Sequence, residues 1–293
     1  MDVPTPRPDA AASPDALPAP ASPGEQRDPA APTDQVRRLI GIGVGPGDPE
    51  LVTLKAVRAL AGADAILVPE TETSSTRGPG SADGRGGAGR AELIVLGCCP
   101  TAAPAIRRVP FSMADRSGVT DRRREAWDAS AAAALTAYDE GARTVAFATV
   151  GDPSVYSTFS YLAATVSERL PDVVVEVIPG ITAMQALAAA SRIPLVEGTE
   201  VLALVPVTAG LETLERAMAA ADTVVAYKGG RRMPEVVSRL RAADREATTV
   251  IGTDVSLPHQ RLVGLAELGE AERAPYFCTV LSAPARATIG GRL

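Results

Sequence analysis

The 293 residues are 46% hydrophobic, 22% charged and 3% aromatic with a formal net charge of −6, which suits one large domain or two ordinary ones with a real core. That charge, and the lack of any run of about 18 uncharged apolar residues, argue against a basic nucleic-acid face and an apolar membrane helix, so neither partner is expected. Three cysteines (Cys98, Cys99, Cys278) without a CxxC pair, and a single histidine, His259, exclude a disulfide framework and a multi-histidine metal site and point to a reducing cytoplasm.

Residues 1–35 hold nine prolines and eight alanines. They cannot bury enough surface to offset ordering, and a disordered tail is expected. They also carry six acidic and two basic residues, so the other 258 residues carry only about −2 of the −6. From Leu39 to Val44 an apolar run ends in glycines and reads as a buried strand. A helix is expected over 50–61, a strand over 65–68 and a Gly/Ser/Thr-rich loop over 69–89. A long helix over 120–140 surrounds Trp127 and stops at Gly141. A strand follows over 144–148, a helix over 155–170, a strand over 173–178 and an Ala-rich helix over 183–191. Further strands are expected at 201–206, 223–227, 248–251 and 276–281, with helices near 211–220 and 232–243. The alternation predicts an α/β class fold of two α/β domains, 36–197 and 198–293, with a mainly parallel first sheet and a cleft between them.

Three loops at strand ends carry the candidate chemistry. The first reads GIGVGPGD over 41–48. Its glycines let backbone approach a ligand, but the G-x-G-x-x-G spacing fails from both Gly41 and Gly43, and no GK[ST] follows. A nicotinamide oxidoreductase and a P-loop enzyme are therefore not expected. The second repeats a tripeptide: Gly47-Asp48-Pro49 and Gly151-Asp152-Pro153 each follow an apolar strand. Each Asp has two readings, an N-cap followed by a favoured Pro, or a carboxylate in a pocket that repels phosphate. The third, Ile178 to Ala183, is an ordinary strand–helix turn with Thr182 as its cap, or a third wall of that pocket. A phosphate-free nucleoside with a positive centre fits such a pocket, which describes S-adenosylmethionine.

The segments GVGPGDPELVTLKAVRAL (43–60), ATVGDPSVYSTFSYL (148–162), VIPGITAM (177–184), VVAYKGGR (224–231) and APYFCTVL (274–281), in that order, resemble the tetrapyrrole methylases of cobalamin synthesis. The GDPSVYSTFSYL form, with VPETETSS and GRAE (68–92), VPFSM (109–113) and LVPVTAG (204–210), looks most like the branch acting at the C-20 meso carbon of precorrin-2. The resemblance spans roughly residues 36–285. It implies an S-adenosylmethionine-dependent C-methyltransferase with the co-substrate folded between two domains, usually in a homodimer. It implies donor contacts from Gly45, Pro46 and Gly47, from Val150, Gly151, Asp152 and Val155, from Thr182 and Ala183, and from Lys228. Ser157 and Thr158 are that branch's candidate polar contacts. The Gly-rich stretch Arg77–Gly89 looks like an insertion.

Methyl transfer from a sulfonium to an electron-rich carbon needs no covalent nucleophile, in keeping with the lack of a triad. Asp48, Asp152, Tyr156 and water are all candidates to take the departing proton. Arg107, Arg108, Arg116, Arg122, Arg123, Arg124, Arg231 and Arg232 are candidates for the substrate's carboxylates. His259 reads as an exposed loop residue and Cys98-Cys99 as apolar filling. The alternatives are a sister methylase acting at another ring position or on uroporphyrinogen, and a non-catalytic binder of S-adenosylmethionine.

Overall fold

A computed structural model of the chain describes residues 36–70, 88–110, 121–268 and 278–286. The 1–35 tail, residues 71–87 of the loop expected over 69–89 and with them nearly all of the Arg77–Gly89 stretch, Arg116, and the side chains of Arg122, Arg123 and Arg231 lie outside the described residues. Two sheets organise the rest. β1 (Arg38–Gly43), β2 (Ala65–Pro69), β3 (Ile106–Val109), β4 (Thr144–Thr149) and β5 (Val174–Ile178) form a parallel sheet in the order β3-β2-β4-β1-β5. Successive side chains leave opposite faces of a strand, so a strand apolar at every position must be covered twice. Ile40, Ile42, Ile66, Val68, Ala146 and Ala148 pack on one face under α1 (Leu54–Ala61) and α2 (Arg90–Cys98). Leu39, Leu67, Val145 and Phe147 pack on the other under α3 (Asp121–Asp139) and α4 (Phe159–Arg169).

The second sheet runs β6 (Leu202–Pro206), β7 (Thr223–Tyr227), β10 (Cys278–Ser282), β8 (Thr249–Thr253) and β9 (Arg261–Gly264), with β6-β7 parallel and the rest antiparallel. α6 (Leu211–Ala220) and α7 (Met233–Ala242) cover one face through Leu214, Val236 and Leu240 against Val224, Ala226 and Val280. α5 (Ala183–Ser191) covers the other, with Ala186 and Leu187 against Val225 and Leu281. Only four residues separate β5 of the first sheet from α5, which packs on the second. The loop over 179–182 therefore joins the two layers directly.

The expected elements recur with local shifts, each with a physical cause. The helix expected from residue 50 is a 3-10 turn (Pro49–Leu51) and then α1, because Thr53 caps α1 by accepting from Ala56 N at 3.2 Å. The helix expected from 155 starts at Phe159, because Tyr156 holds a left-handed backbone (φ 51°) that breaks helical continuity. α2, β3 and β9 were not expected. β3 and β9 are short edge strands, and β3 carries Arg107 and Arg108 where a buried strand carries valine; charge on an edge is a common defence against stray pairing. Among the described residues no helix is long and apolar enough to cross a membrane.

Leu187 is fully buried between α5 and the second sheet. Leu187→Ala should cost about 2–5 kcal/mol, read as a lower denaturant midpoint with an unchanged slope. A loss below 1 kcal/mol would mean that α5 does not seal that face.

Candidate functional site

β4, β1 and β5 are parallel neighbours, so the loops at their carboxyl ends emerge side by side. Ligands in open α/β sheets bind in that position. Gly45 and Gly151 pair across the first two loops, N–H to carbonyl at 3.3 and 2.7 Å in the two directions. Both hold left-handed backbones, φ 75° and 77°, which glycine adopts without steric cost. The third loop is as close. A Cβ on Gly43 would lie 2.6 Å from both the Gly151 carbonyl oxygen and the Gly180 nitrogen. Three backbones thus meet where no side chain fits. A Cβ on Gly151 would instead meet no atom of the described residues within 4 Å, so among them the junction is open on that side.

Asp152 fastens the junction. Its Oδ1 accepts from the Ser154 N–H at 2.7 Å and from the Ser154 hydroxyl, and its Oδ2 accepts from Gly180 N–H at 2.8 Å. The residue is buried. Burial disfavours the carboxylate, but the bonds from the Ser154 hydroxyl and the two backbone amides outweigh it and hold the carboxyl below its usual range. No helix begins at Pro153, so Asp152 is not a helix N-cap as one reading had it; it shapes a turn that floors the open space.

The second sheet supplies the facing wall. Thr182 caps α5 in a reciprocal box with Gln185, and Met184 N–H donates to Tyr227 Oη at 2.8 Å. Burial pushes the Tyr227 phenol up to about 12, so it stays protonated at neutral pH. The Tyr156 ring meets Tyr227 edge-on, with centroids 5.8 Å apart, and the Lys228 ammonium sits 5.2 Å from the Tyr156 centroid. Such a contact contributes about 0.5–2 kcal/mol. Tyr156 and Lys228 are both left-handed, φ 51° and 60°, at about 1–3 kcal/mol of strain each. The first loop also reaches the second sheet: Asp48 N–H donates to Ser256 Oγ at 3.1 Å, while its Oδ1 caps the Pro49–Leu51 turn through Glu50 N–H.

Of the residues singled out from the sequence, the structure brings Gly45, Pro46, Gly47, Gly151, Asp152, Thr182, Ala183 and Lys228 to this junction through the contacts above and their chain neighbours. Val155 N–H donates back to the Asp152 carbonyl, and Val150 packs on the core beneath. Ser157 and Thr158 turn elsewhere. Ser157 Oγ bonds Thr149 Oγ1 at 3.1 Å and accepts from Phe159 N–H. Thr158 lines a cavity of about 10 Å³ with Phe147, Trp127 and Ser130. The described arginine candidates are ion-paired. Arg108 makes a two-point contact with buried Glu92 at 2.7 and 2.9 Å, and Arg107, Arg124 and Arg232 meet Glu140, Asp121 and Glu235. His259 is exposed, as expected, 3.6 Å from Asp254. Tyr227 and Gln185 were missed. Tyr227 was visible only as the last residue of an apolar strand before Lys228, and no motif marked Gln185.

The residues 38–272 match the family model described as tetrapyrrole (corrin/porphyrin) methylases. The chain is 35% identical over 84% of its length to a precorrin-2 C(20)-methyltransferase from a Sinorhizobium species, of which it covers 95%. It is 27% identical over 83% of its length to a cobalt-precorrin-2 C(20)-methyltransferase from Salmonella typhimurium, again covering 95%. Its fold is similar to that of a uroporphyrin-III C-methyltransferase from Thermus thermophilus solved with S-adenosylhomocysteine, with a TM-score of 0.55 and 24% identity over 84% of this chain and 97% of that one.

Asp152 contributes a pH-dependent stability. Its folded carboxyl titrates below its unfolded one, so its contribution is full above about pH 4 and fades as pH falls through the folded value. The denaturant midpoints of the parent and Asp152→Asn should therefore differ by a constant amount from pH 5 to 7 and converge on acidification. A gap that widens below pH 4 contradicts this.

Proposed function

The chain belongs to the tetrapyrrole methylases, and from that premise we propose that it methylates the C-20 meso carbon of precorrin-2, or of its cobalt form, using S-adenosylmethionine in cobalamin biosynthesis. The observation that carries the reading is the three-loop junction, closed by glycine contacts on one side and open at Gly151 on the other. The neighbouring groups fit the donor: the first loop lacks the phosphate-binding spacings, the walls offer backbone and tyrosine rings, and the Gly151 side has room among the described residues. Gly45, Pro46, Gly47, Val150, Gly151, Asp152, Val155, Thr182, Ala183 and Lys228 are the proposed donor-binding set, with Ser157 and Thr158 as supports beneath the second loop. Bound there, S-adenosylmethionine supplies an electrophilic methyl on a sulfonium.

The protein's task is positioning and exclusion of water. Fixing reactants in line is worth up to about 7–11 kcal/mol in well-oriented systems. The strained pair Tyr156 and Lys228 and the fastened loops give that rigidity. Tyrosine ring faces suit a cation. Asp152 is a poor proton acceptor, because both of its oxygens already accept hydrogen bonds and its carboxyl is held below its usual range. Tyr227 stays protonated at neutral pH. Neither is assigned as a base. The reading also takes the protein as a cytoplasmic homodimer; free Cys98, Cys99 and Cys278 and the exposed Val175 and Val177 of edge strand β5 support it.

Incubation with precorrin-2 and methyl-labelled donor should give a product with one added methyl group, heavier by one methylene, with the label at C-20 by carbon NMR. Cobalt-precorrin-2 in a parallel reaction shows which form is preferred. Labelling of uroporphyrinogen III and not of either precorrin would contradict the substrate, and tight donor binding without turnover on any tetrapyrrole would contradict catalysis.

A further inference from the structure

The first turn of α2, within the GRAE segment, joins the two sheets away from the three glycine loops. Glu92 is buried there and accepts two hydrogen bonds from Arg108 of β3, which fixes the turn on the first sheet. Two residues earlier, Arg90 reaches across to Asp254 at 2.5 Å, with both side chains about four-fifths buried, at 21% and 19% exposure. Asp254 opens the turn between β8 and β9. That turn is unusual: Asp254 and Ser256 are both left-handed, φ 49° and 68°, and Leu257 N–H and Gln260 N–H close it internally. Its far side presses on the first loop. Ser256 Oγ accepts from Asp48 N–H, and a Cβ on Gly47 would lie 2.9 Å from Leu257 Cδ2. The other end of α2 touches the same loop, since a Cβ on Gly97 would lie 2.5 Å from Pro49 Cγ.

We propose that Arg90 is a positioning residue for donor binding: through Asp254 it holds the β8–β9 turn against Pro46, Gly47 and Asp48, and so sets the separation of the two sheets at the cleft. This rests on the proposed function in one respect, that residues 44–48 bind the donor. α2 is the strut, Glu92 its anchor and Arg90 its reach. A half-exposed ion pair contributes little, but at this burial removing one partner takes away the other's shortest ion-pair contact, with His259 left 3.6 Å from Asp254. The turn then loses its outer support, and the first loop loses the surface it leans on.

The test is calorimetric titration of S-adenosylhomocysteine into the full chain and its variants. Arg90→Ala and Asp254→Asn should each raise Kd about tenfold; asparagine keeps the size of the aspartate and tolerates its left-handed backbone. Arg90→Lys should recover most of the affinity. Arg239→Ala, which breaks the exposed pair to Glu215 between α6 and α7, should leave Kd unchanged, and turnover at saturating donor should change less than about twofold in the Arg90 and Asp254 variants, because the reacting groups are untouched. Kd within twofold of the parent for both Arg90→Ala and Asp254→Asn overturns the inference, as does a fall in kcat with KM for the donor unchanged. A parent that fails to bind S-adenosylhomocysteine overturns the proposed function, and this inference with it.

Discussion

Among the glycines of the described residues, the tightest contact is between backbones. A Cβ on Gly43 or on Gly180 would run into the Gly151 carbonyl oxygen, at 2.6 and 2.2 Å, and Gly45 and Gly151 pair across the same gap. Three parallel strands in adjacent positions bring their carboxyl ends together, but adjacency alone leaves loops free to splay. The Asp152 carboxylate removes that freedom by accepting from its own loop through Ser154 and from the third loop through Gly180. A buried carboxylate with every oxygen bonded is costly to break and therefore specifies one arrangement.

From that junction the second sheet is placed with little slack. α5 begins at the Thr182 cap, immediately beyond the junction, and carries Leu187 into the core of the second sheet. Tyr227 accepts from the first turn of the same helix, and Tyr156 and Lys228 meet from opposite walls. Both of those residues hold strained backbones, and strain of this kind persists only where the surroundings enforce it. A reaction that depends on alignment more than on acid–base chemistry is well served by such a frame. The first loop is held from both sides, by Gly45 on Gly151 and by Asp48 on Ser256.

Much of this was legible in the residues. Apolar runs such as Leu39 to Val44 and Val145 to Ala148 are strands with both faces covered, because no polar face interrupts them. The glycine-bearing bends after β1, β4 and β5 marked the candidate site, since only an approach of backbone to backbone or to ligand calls for glycine there. The rest lay in pairings between distant positions. β3 was hidden by its arginines, whose partners are Glu92 on α2 and Glu140 just past α3. Arg108 looked like a group for binding substrate carboxylates and is instead engaged by a buried glutamate. Ser157 and Thr158 sit in a helix-start pattern, but the left-handed Tyr156 before them redirects their side chains toward β4 and α3. No local signal announces a left-handed tyrosine.

The claim beneath all of this is that the open side of the glycine junction is the seat of the methyl donor. A crystal structure of the chain with S-adenosylhomocysteine tests it most directly. The account predicts density over Gly151, bounded by residues 44–47, 150–155 and 179–183 on one side and by Tyr227 and Lys228 on the other, with the loop contacts unchanged. Density elsewhere on the molecule, or loops that separate to admit the ligand beneath Gly180, would contradict it.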